Sequence, residues 1–318
     1  MNSPIFIGGL ERSGKTYMRM ILAAHPHLVF SHRANMWTSY YNRYGDLNQG
    51  DNLKRCMAEM LESKHIRSLI SDPTRLNRDI GTAPVSYSSL FTLIHEQHAL
   101  KMGKLRWGDQ TEFIERYTDA IFAVYPNARI IHMLRDPRDR FEAMQHKSHR
   151  RGGLGVATAR WKISATLAQR NQSKYPEQYK VVCYETLVTS PNSTLFETCE
   201  FIGEEFFIEM LRMQEETRFN KNESDDTEES SGPLTTKYIG CYHNKLRASE
   251  IAYIQKQVGV LMSAFGYTVT PIRLSWKERL RFHLLDEVVN SFYKLSWHIN
   301  DRIKNSSVWN TDRSLLVD

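Results

Sequence analysis

Ile5-Phe6-Ile7-Gly8-Gly9-Leu10-Glu11-Arg12-Ser13-Gly14-Lys15-Thr16 opens the chain with an apolar run, a glycine-rich loop and the start of a helix. The apolar run before Gly8-Gly9 reads as a buried strand ending in a tight loop. From Thr16 to Ala24 the apolar residues Met18, Ile21 and Leu22 share one helical face, and His25-Pro26 stops that helix. The spacing from Gly9 to Thr16 satisfies the pattern G-x4-G-K-[ST] in the strand-to-helix context that gives it meaning. Glycines let the backbone curl so that several N–H groups turn inward on an anion. The helix behind adds the positive end of its dipole. Lys15 brings a full charge. The stretch therefore predicts an α/β fold with a phosphate loop, and Arg12, Ser13, Gly14, Lys15, Thr16 and Tyr17 as its anion contacts.

Outward from this loop, Arg129–Leu134 reads as a second strand and runs directly into Arg135-Asp136-Pro137-Arg138-Asp139. Tyr179–Tyr184 reads as a third, and the helix between, around Ala157–Arg170, carries Trp161 and Leu167 on its apolar side. Strands alternating with helices predict a P-loop-type three-layer fold, a mainly parallel central sheet flanked by helices on both faces. Residues 34–103 read as mostly helical, with Trp37, Tyr40, Tyr41 and Tyr44 as helical core or as the lining of an acceptor pocket. The acidic segment 220–236 has no apolar period and reads as a mobile loop. Ala248–Phe265 resumes a helix. Trp276, Leu280, Leu284, Val288, Phe292, Leu295, Ile299 and Ile303 then mark a C-terminal amphipathic helix. Lys277, Arg279, Arg281, Lys294, Arg302 and Lys304 flank that stripe. Two readings stand: a helix packed on the domain or on a second subunit as a homodimer, and a peripheral membrane contact on an anionic surface.

At 318 residues, with 41% apolar and 25% charged residues, the chain suits a globular fold with a sizeable core. Its formal charge of +6 suits an anionic ligand, but the excess is spread out, with no dense basic run for nucleic acid. Cys56, Cys183, Cys199 and Cys241 fit no disulfide or zinc spacing and read as reduced thiols. No stretch has the length of a transmembrane helix and the N-terminus lacks a leader pattern, so the expected location is cytoplasmic.

Arg135 and Arg138 stand where a strand enters a loop and can fork onto a phosphate. Strands of one parallel sheet end at one edge, so Lys15 and Arg135 face the same side. A ligand with phosphates at both ends would span them. The loop alone also fits a small-molecule kinase using ATP–Mg²⁺, which needs a strand-end carboxylate for the metal. No apolar strand read from the sequence ends in a lone Asp or Glu.

Glu11-Arg12-Ser13-Gly14-Lys15-Thr16, strand-Arg135-Asp136-Pro137-Arg138-Asp139, Tyr184-Glu185-Thr186-Leu187 with Pro191, Phe201-Ile202-Gly203, and Ile239-Gly240 resemble the motifs of sulfotransferases, closest to the carbohydrate- and tyrosyl-sulfating branch and its bacterial relatives. The resemblance covers residues 4–30 and 105–268. It implies a sulfotransferase domain over residues 1–270, with 31–104 as a helical acceptor-side insertion and 271–318 as a C-terminal extension. It implies 3′-phosphoadenosine 5′-phosphosulfate (PAPS) as donor, adenosine 3′,5′-bisphosphate as product, and no metal. The acceptor would be a hydroxyl or amine on a small molecule, glycan or lipid. Lys15 would serve the leaving group, and Arg135, Lys147 (or Ser148), Tyr184 and Lys237 the nucleotide. Ala143 stands where the family has a Ser, and Gln110 where it has a Lys. Glu112, then Asp109, then His32 are the candidate general bases. A nucleotide-binding module without catalysis is the remaining alternative.

Overall fold

A computed structural model describes residues 3–81, 84–145, 153–211 and 234–304. Five parallel strands form one sheet in the order β2-β3-β1-β4-β5: β1 Ile5–Gly9, β2 Leu28–His32, β3 Arg106–Gln110, β4 Arg129–Leu134 and β5 Tyr179–Cys183. The helices are α1 (Lys15–Ala23), α2 (Met36–Ser39), α3 (Asn52–Glu62), α4 (Lys64–Leu69), α5 (Pro73–Ile80), α6 (Tyr87–Lys101), α7 (Thr118–Val124), α8 (Pro137–Gln145), α9 (Gly153–Lys174), α10 (Tyr184–Thr189) and α11 (Pro191–Ile202). After them come α12 (Tyr242–Lys245), α13 (Ala248–Ala264) and a C-terminal helix made of α14 (Trp276–Arg281), a π turn (Phe282–Asp286) and α15 (Glu287–Lys304).

Alternation along the strands builds the three layers. Phe6, Trp107, Ile130 and Tyr179 pack under α6, α7 and α9, whereas Ile5, Ile7, Ile131, Met133 and Val182 face α1, α10 and α11. The parallel α/β architecture is as expected, but two strands are additional. β2 follows Pro26 after one residue, too short a run to register by pattern. β3 carries Arg106, Asp109 and Gln110, all buried, so it lacks an apolar strand's signature. The strand expected second, Arg129–Leu134, is therefore β4.

Trp37 and Tyr40 of the helical 34–103 segment are buried and join the core behind β3 rather than lining a pocket. The four cysteines are free thiols. Of the acidic segment 220–236, all but residues 234–236 lies outside the described residues.

The C-terminal helix packs on the domain, as one of the two readings has it, but through a face other than its apolar stripe. Its inner face is Phe282, Asn290 and Asp301, and it lies against α9 where Gly155 permits close contact. A Cβ on Gly155 would meet the Asn290 carbonyl oxygen at 2.2 Å. The Gly155 N–H instead donates to Asn290 Oδ1 at 2.9 Å, and Asn290 Nδ2 donates to the Asp286 carbonyl of the π turn at 2.7 Å. The apolar stripe points to solvent.

Candidate active site

β1 and β4 are direct neighbours, with Gly9 opposite Met133, so the two strand-end motifs meet at one sheet edge. Gly14 caps α1 at φ 90°, a conformation that side chains resist, and a Cβ there would stand 2.7 Å from the Tyr184 ring. Ser13 is buried and its Oγ donates to the Leu10 carbonyl at 2.7 Å, which closes the turn. Thr16 begins α1 beside Lys15, and Tyr17 is buried with its ring 6.4 Å from that of Tyr184. Lys15 is buried and Nζ donates to the Gly9 carbonyl at 2.7 Å. Burial lowers its pKa against the charges of Glu112, Glu11 and Glu115, which raise it.

Arg135 is buried at the end of β4. It donates to the carbonyls of Arg12 at 3.1 Å and Tyr238 at 3.0 Å, and its guanidinium lies 4.5 Å from the Tyr184 ring centre. One cation thus ties the phosphate loop, the β5 strand end and the Thr236–Tyr238 turn together. Lys237 is exposed on that turn, one residue from the Arg135 contact. Lys147 and Ser148 lie outside the described residues. Ala143 is buried on α8. Arg138 does not join Arg135 in a phosphate fork. It makes a bidentate pair with Asp136, at 3.0 and 2.6 Å, and a third bond to Gln255. The reason is local, because Asp136 is the nearest carboxylate and buried beside it. Asp139 accepts from the N–H groups of Gly240 at 2.7 Å and Tyr242 at 3.0 Å, so it clamps the Ile239-Gly240 stretch.

The three candidate bases separate in space. Asp109 is fully buried within β3; Ser31 Oγ donates to one oxygen at 2.5 Å and Thr111 Oγ1 to the other at 2.8 Å. Burial alone would raise its pKa, but hydrogen bonding with His95 and those hydroxyls holds it low. It sits on the strand beside β1, where a metal-holding carboxylate would be sought, with both oxygens already engaged. His32 ends β2; burial and the nearby Arg19 and Arg33 push its pKa down to about 3, so it is neutral and a weak base. Gln110 is buried, and Arg19 of α1 donates to its Oε1 at 3.0 Å.

Glu112 is the carboxylate at the loop itself. Its Oε1 accepts from the Glu11 N–H at 3.4 Å and from the Arg160 guanidinium. Arg160 also binds Glu11 Oε1 at 2.9 Å, and Arg140 binds the same oxygen at 2.8 Å. Burial and the shared hydrogen bond with Glu11 push the Glu112 pKa up to about 7, with Lys15 and Arg160 opposing. Burial also acts on Glu11, but Arg140, the bond to Glu112 and Arg160 hold it far below the usual carboxylate range. One carboxylate thus stays ionised while its neighbour exchanges a proton near neutral pH. Beside Glu112 opens a cavity of about 200 Å³, lined by Asn35, Thr38, Glu112, Arg116, Tyr117 and Asp301 among others. Arg116 and Asp301 pair at 3.0 Å, which brings the C-terminal helix into the wall.

Sequence reasoning missed Arg160, Arg140 and Glu115. Glu115 is fully buried and its Oε2 accepts from the Gly9 N–H at 3.4 Å. The charge at Glu11 and Glu112 was a signal that buried cations would be needed, but not from where. The trio His25, His27 and Glu204 is close enough to hold a metal, but Arg106 binds Glu204 at 3.0 Å, and it lies at the opposite, N-terminal edge of the strands.

A glycine-rich loop on β1, an arginine on the adjacent β4 and an all-parallel sheet define an α/β protein with Lys15 and Arg135 at one sheet edge. The profile of the sulfotransferase family matches residues 4–208, about two thirds of the chain, including the helical segment that the sequence motifs left outside, and this protein belongs to that family. No curated protein sequence matches it. Its fold is similar to the sulfotransferase domain of the Synechococcus PCC 7002 olefin synthase, with TM-score 0.59 and 18% identity over 85% of this chain and 98% of that one. It is also similar to the sulfotransferase domain of the curacin biosynthetic pathway, with TM-score 0.51 and 19% identity over 85% of this chain and 99% of that one. No helix among the described residues is long and apolar enough to cross a membrane.

Proposed function

We propose that this protein transfers the sulfuryl group of PAPS to a hydroxyl or amine of an acceptor that enters the cavity beside Glu112. The observation that carries this reading is the adjacency of β1 and β4, which sets Lys15 and Arg135 at one edge with Tyr184 between them. A nucleotide bearing a 5′-phosphosulfate and a 3′-phosphate matches two such cationic points; ATP, with one phosphate chain, matches one. Family membership supports the same chemistry.

The donor supplies an activated sulfuryl group; the protein's part is positioning and charge. The loop N–H groups of Arg12 to Tyr17 and the start of α1 hold the 5′ end. Lys15 neutralises charge on the leaving phosphate oxygen as the S–O bond breaks. Arg135 holds the 3′-phosphate, with Tyr184 against the nucleotide and Lys237 on the neighbouring turn. Glu112 takes the acceptor proton as the new bond to sulfur forms, and Arg160 fixes that carboxylate toward the loop. Arg19, held by Gln110, supplies a cation near the place where the family has a lysine. The kinase alternative needs a free carboxylate for Mg²⁺ near the loop; Asp109 and Glu115 have both oxygens engaged, and Glu11 is tied through Oε1 to Arg140 and Arg160. Incubation with PAPS and a panel of sugars, lipids and phenols, read by mass spectrometry, tests the reading. A sulfated product that disappears with Lys15→Ala supports it; ATP-dependent phosphorylation instead refutes it.

A further inference from the structure

The C-terminal helix presents a continuous apolar stripe to solvent. Trp276 is 72% exposed, Phe292 67% and Ile303 71%, and Leu280, Leu284, Val288, Leu295 and Ile299 are each more than half exposed. The stripe runs mostly in steps of four, and an α-helix of 3.6 residues per turn would carry such steps steadily around its axis. The π turn at Phe282–Asp286 packs an extra residue into one turn and turns the stripe back toward its starting face. The helix is not loosely held: the Gly155–Asn290 contact and the Arg116–Asp301 pair fix its other face. The stripe is therefore a rigid, built surface.

Its charges are sorted. Asp301 pairs inward with Arg116, Glu287 with Lys256, and Glu278 caps its own helix through Ser275 at 2.7 Å. Exposed Lys277, Arg279 and Arg281, the last 4.0 Å from Asp286, lie at one end, and exposed Arg302 and Lys304 at the other. A second copy laid along this helix, parallel or antiparallel, would set cations against cations. Beside the stripe, a cleft of about 250 Å³ opens between α9, α13 and α15, where Lys162, Lys294 and Arg302 ring an apolar lining that includes Val258, Leu295 and Ile299. Leu295 and Ile299 belong to both cleft and stripe. Burial and the charge of Lys162 lower the pKa of Lys294, the mark of like charges gathered in one place. A greasy cleft with a cationic rim fits an amphiphilic anion.

We propose that the C-terminal helix lies flat on an anionic lipid bilayer, apolar stripe down, with the adjoining cleft receiving the head group and upper chain of one acidic lipid. The helix is too polar to cross the bilayer, and its pattern is that of an interfacial anchor. This inference is independent of the transfer chemistry.

Co-sedimentation of the full chain with vesicles of phosphatidylcholine, alone or with a third phosphatidylglycerol, tests it. The expected result is binding to the acidic vesicles roughly tenfold or more tighter than to the neutral ones, weakened by salt. Leu284→Asp with Phe292→Asp should abolish binding with an unchanged melting temperature, since both sites are exposed. Lys162→Glu with Lys294→Glu should erase the preference for acidic vesicles. Equal binding by wild type and the Asp pair, or no binding to either vesicle, overturns the proposal. So does a wild-type dimer, seen by analytical ultracentrifugation, that the Asp pair dissociates while vesicle binding is absent.

Discussion

Replacement of Glu112 by Gln removes a proton acceptor while keeping the side chain's size and its bond from the Glu11 N–H. With a pKa near 7, Glu112 is ionised in about a tenth of molecules one unit below that value and in about nine tenths one unit above. The wild-type kcat/KM should therefore rise about tenfold per unit below pH 7 and level off above it. A positioned base contributes about 10²–10⁴ in rate, or roughly 3–5 kcal/mol of barrier, so Glu112→Gln should lose that factor at pH 8 and flatten the profile. Arg160 holds the pKa down, so Arg160→Met should shift the rising limb to higher pH, because the protonated form is then favoured. The assay is product formation across pH on the acceptor found by the mass-spectrometric screen. A carboxyl carbon that titrates near neutral pH by NMR and vanishes in Glu112→Gln checks the assignment without any acceptor. A Glu112→Gln enzyme within twofold of wild type, with the same rising limb, refutes the role of Glu112.

Lys15→Ala should lower turnover by about 10²–10³ while the melting temperature moves little, since the native lysine is already penalised by burial; rate and thermal melts check both halves. Arg135→Ala removes charge-assisted hydrogen bonds worth about 1.5–3 kcal/mol and should weaken adenosine 3′,5′-bisphosphate binding about 10–150-fold by calorimetry, with acceptor KM changed less. Gly155→Ala sets a methyl against the Asn290 carbonyl. The overpacking exceeds the gain in helix propensity, for a net loss of about 1–2 kcal/mol and a melting temperature lower by roughly 2–8 °C.

The phosphate loop was legible because its chemistry is local: glycines, Lys15 and a flanking strand and helix all lie within one stretch. Arg135 was legible for the same reason. β3 was not, because its polar residues are satisfied from afar, Arg106 by the carbonyl of Ile202 at 2.6 Å and Gln110 by Arg19 at 3.0 Å. Ranking Glu112 above Asp109 and His32 needed only sequence position. The difference between them, one carboxylate at the loop, one sealed in the sheet and one imidazole kept neutral by burial and then by neighbouring arginines, is set by tertiary contacts. Arg160 sits on a helix where nothing in the periodicity marks it. The apolar stripe of the C-terminal helix was plain in the sequence, but the face it turns to its neighbour depends on Gly155 and the π turn.

The two-anion reading of the sheet edge is tested most directly by calorimetry of the full chain with adenosine 3′,5′-bisphosphate against ATP–Mg²⁺. The account predicts tight, metal-independent binding of the bisphosphate that Arg135→Ala weakens, and weak binding of ATP–Mg²⁺. Tight ATP–Mg²⁺ binding with no bisphosphate binding would contradict it.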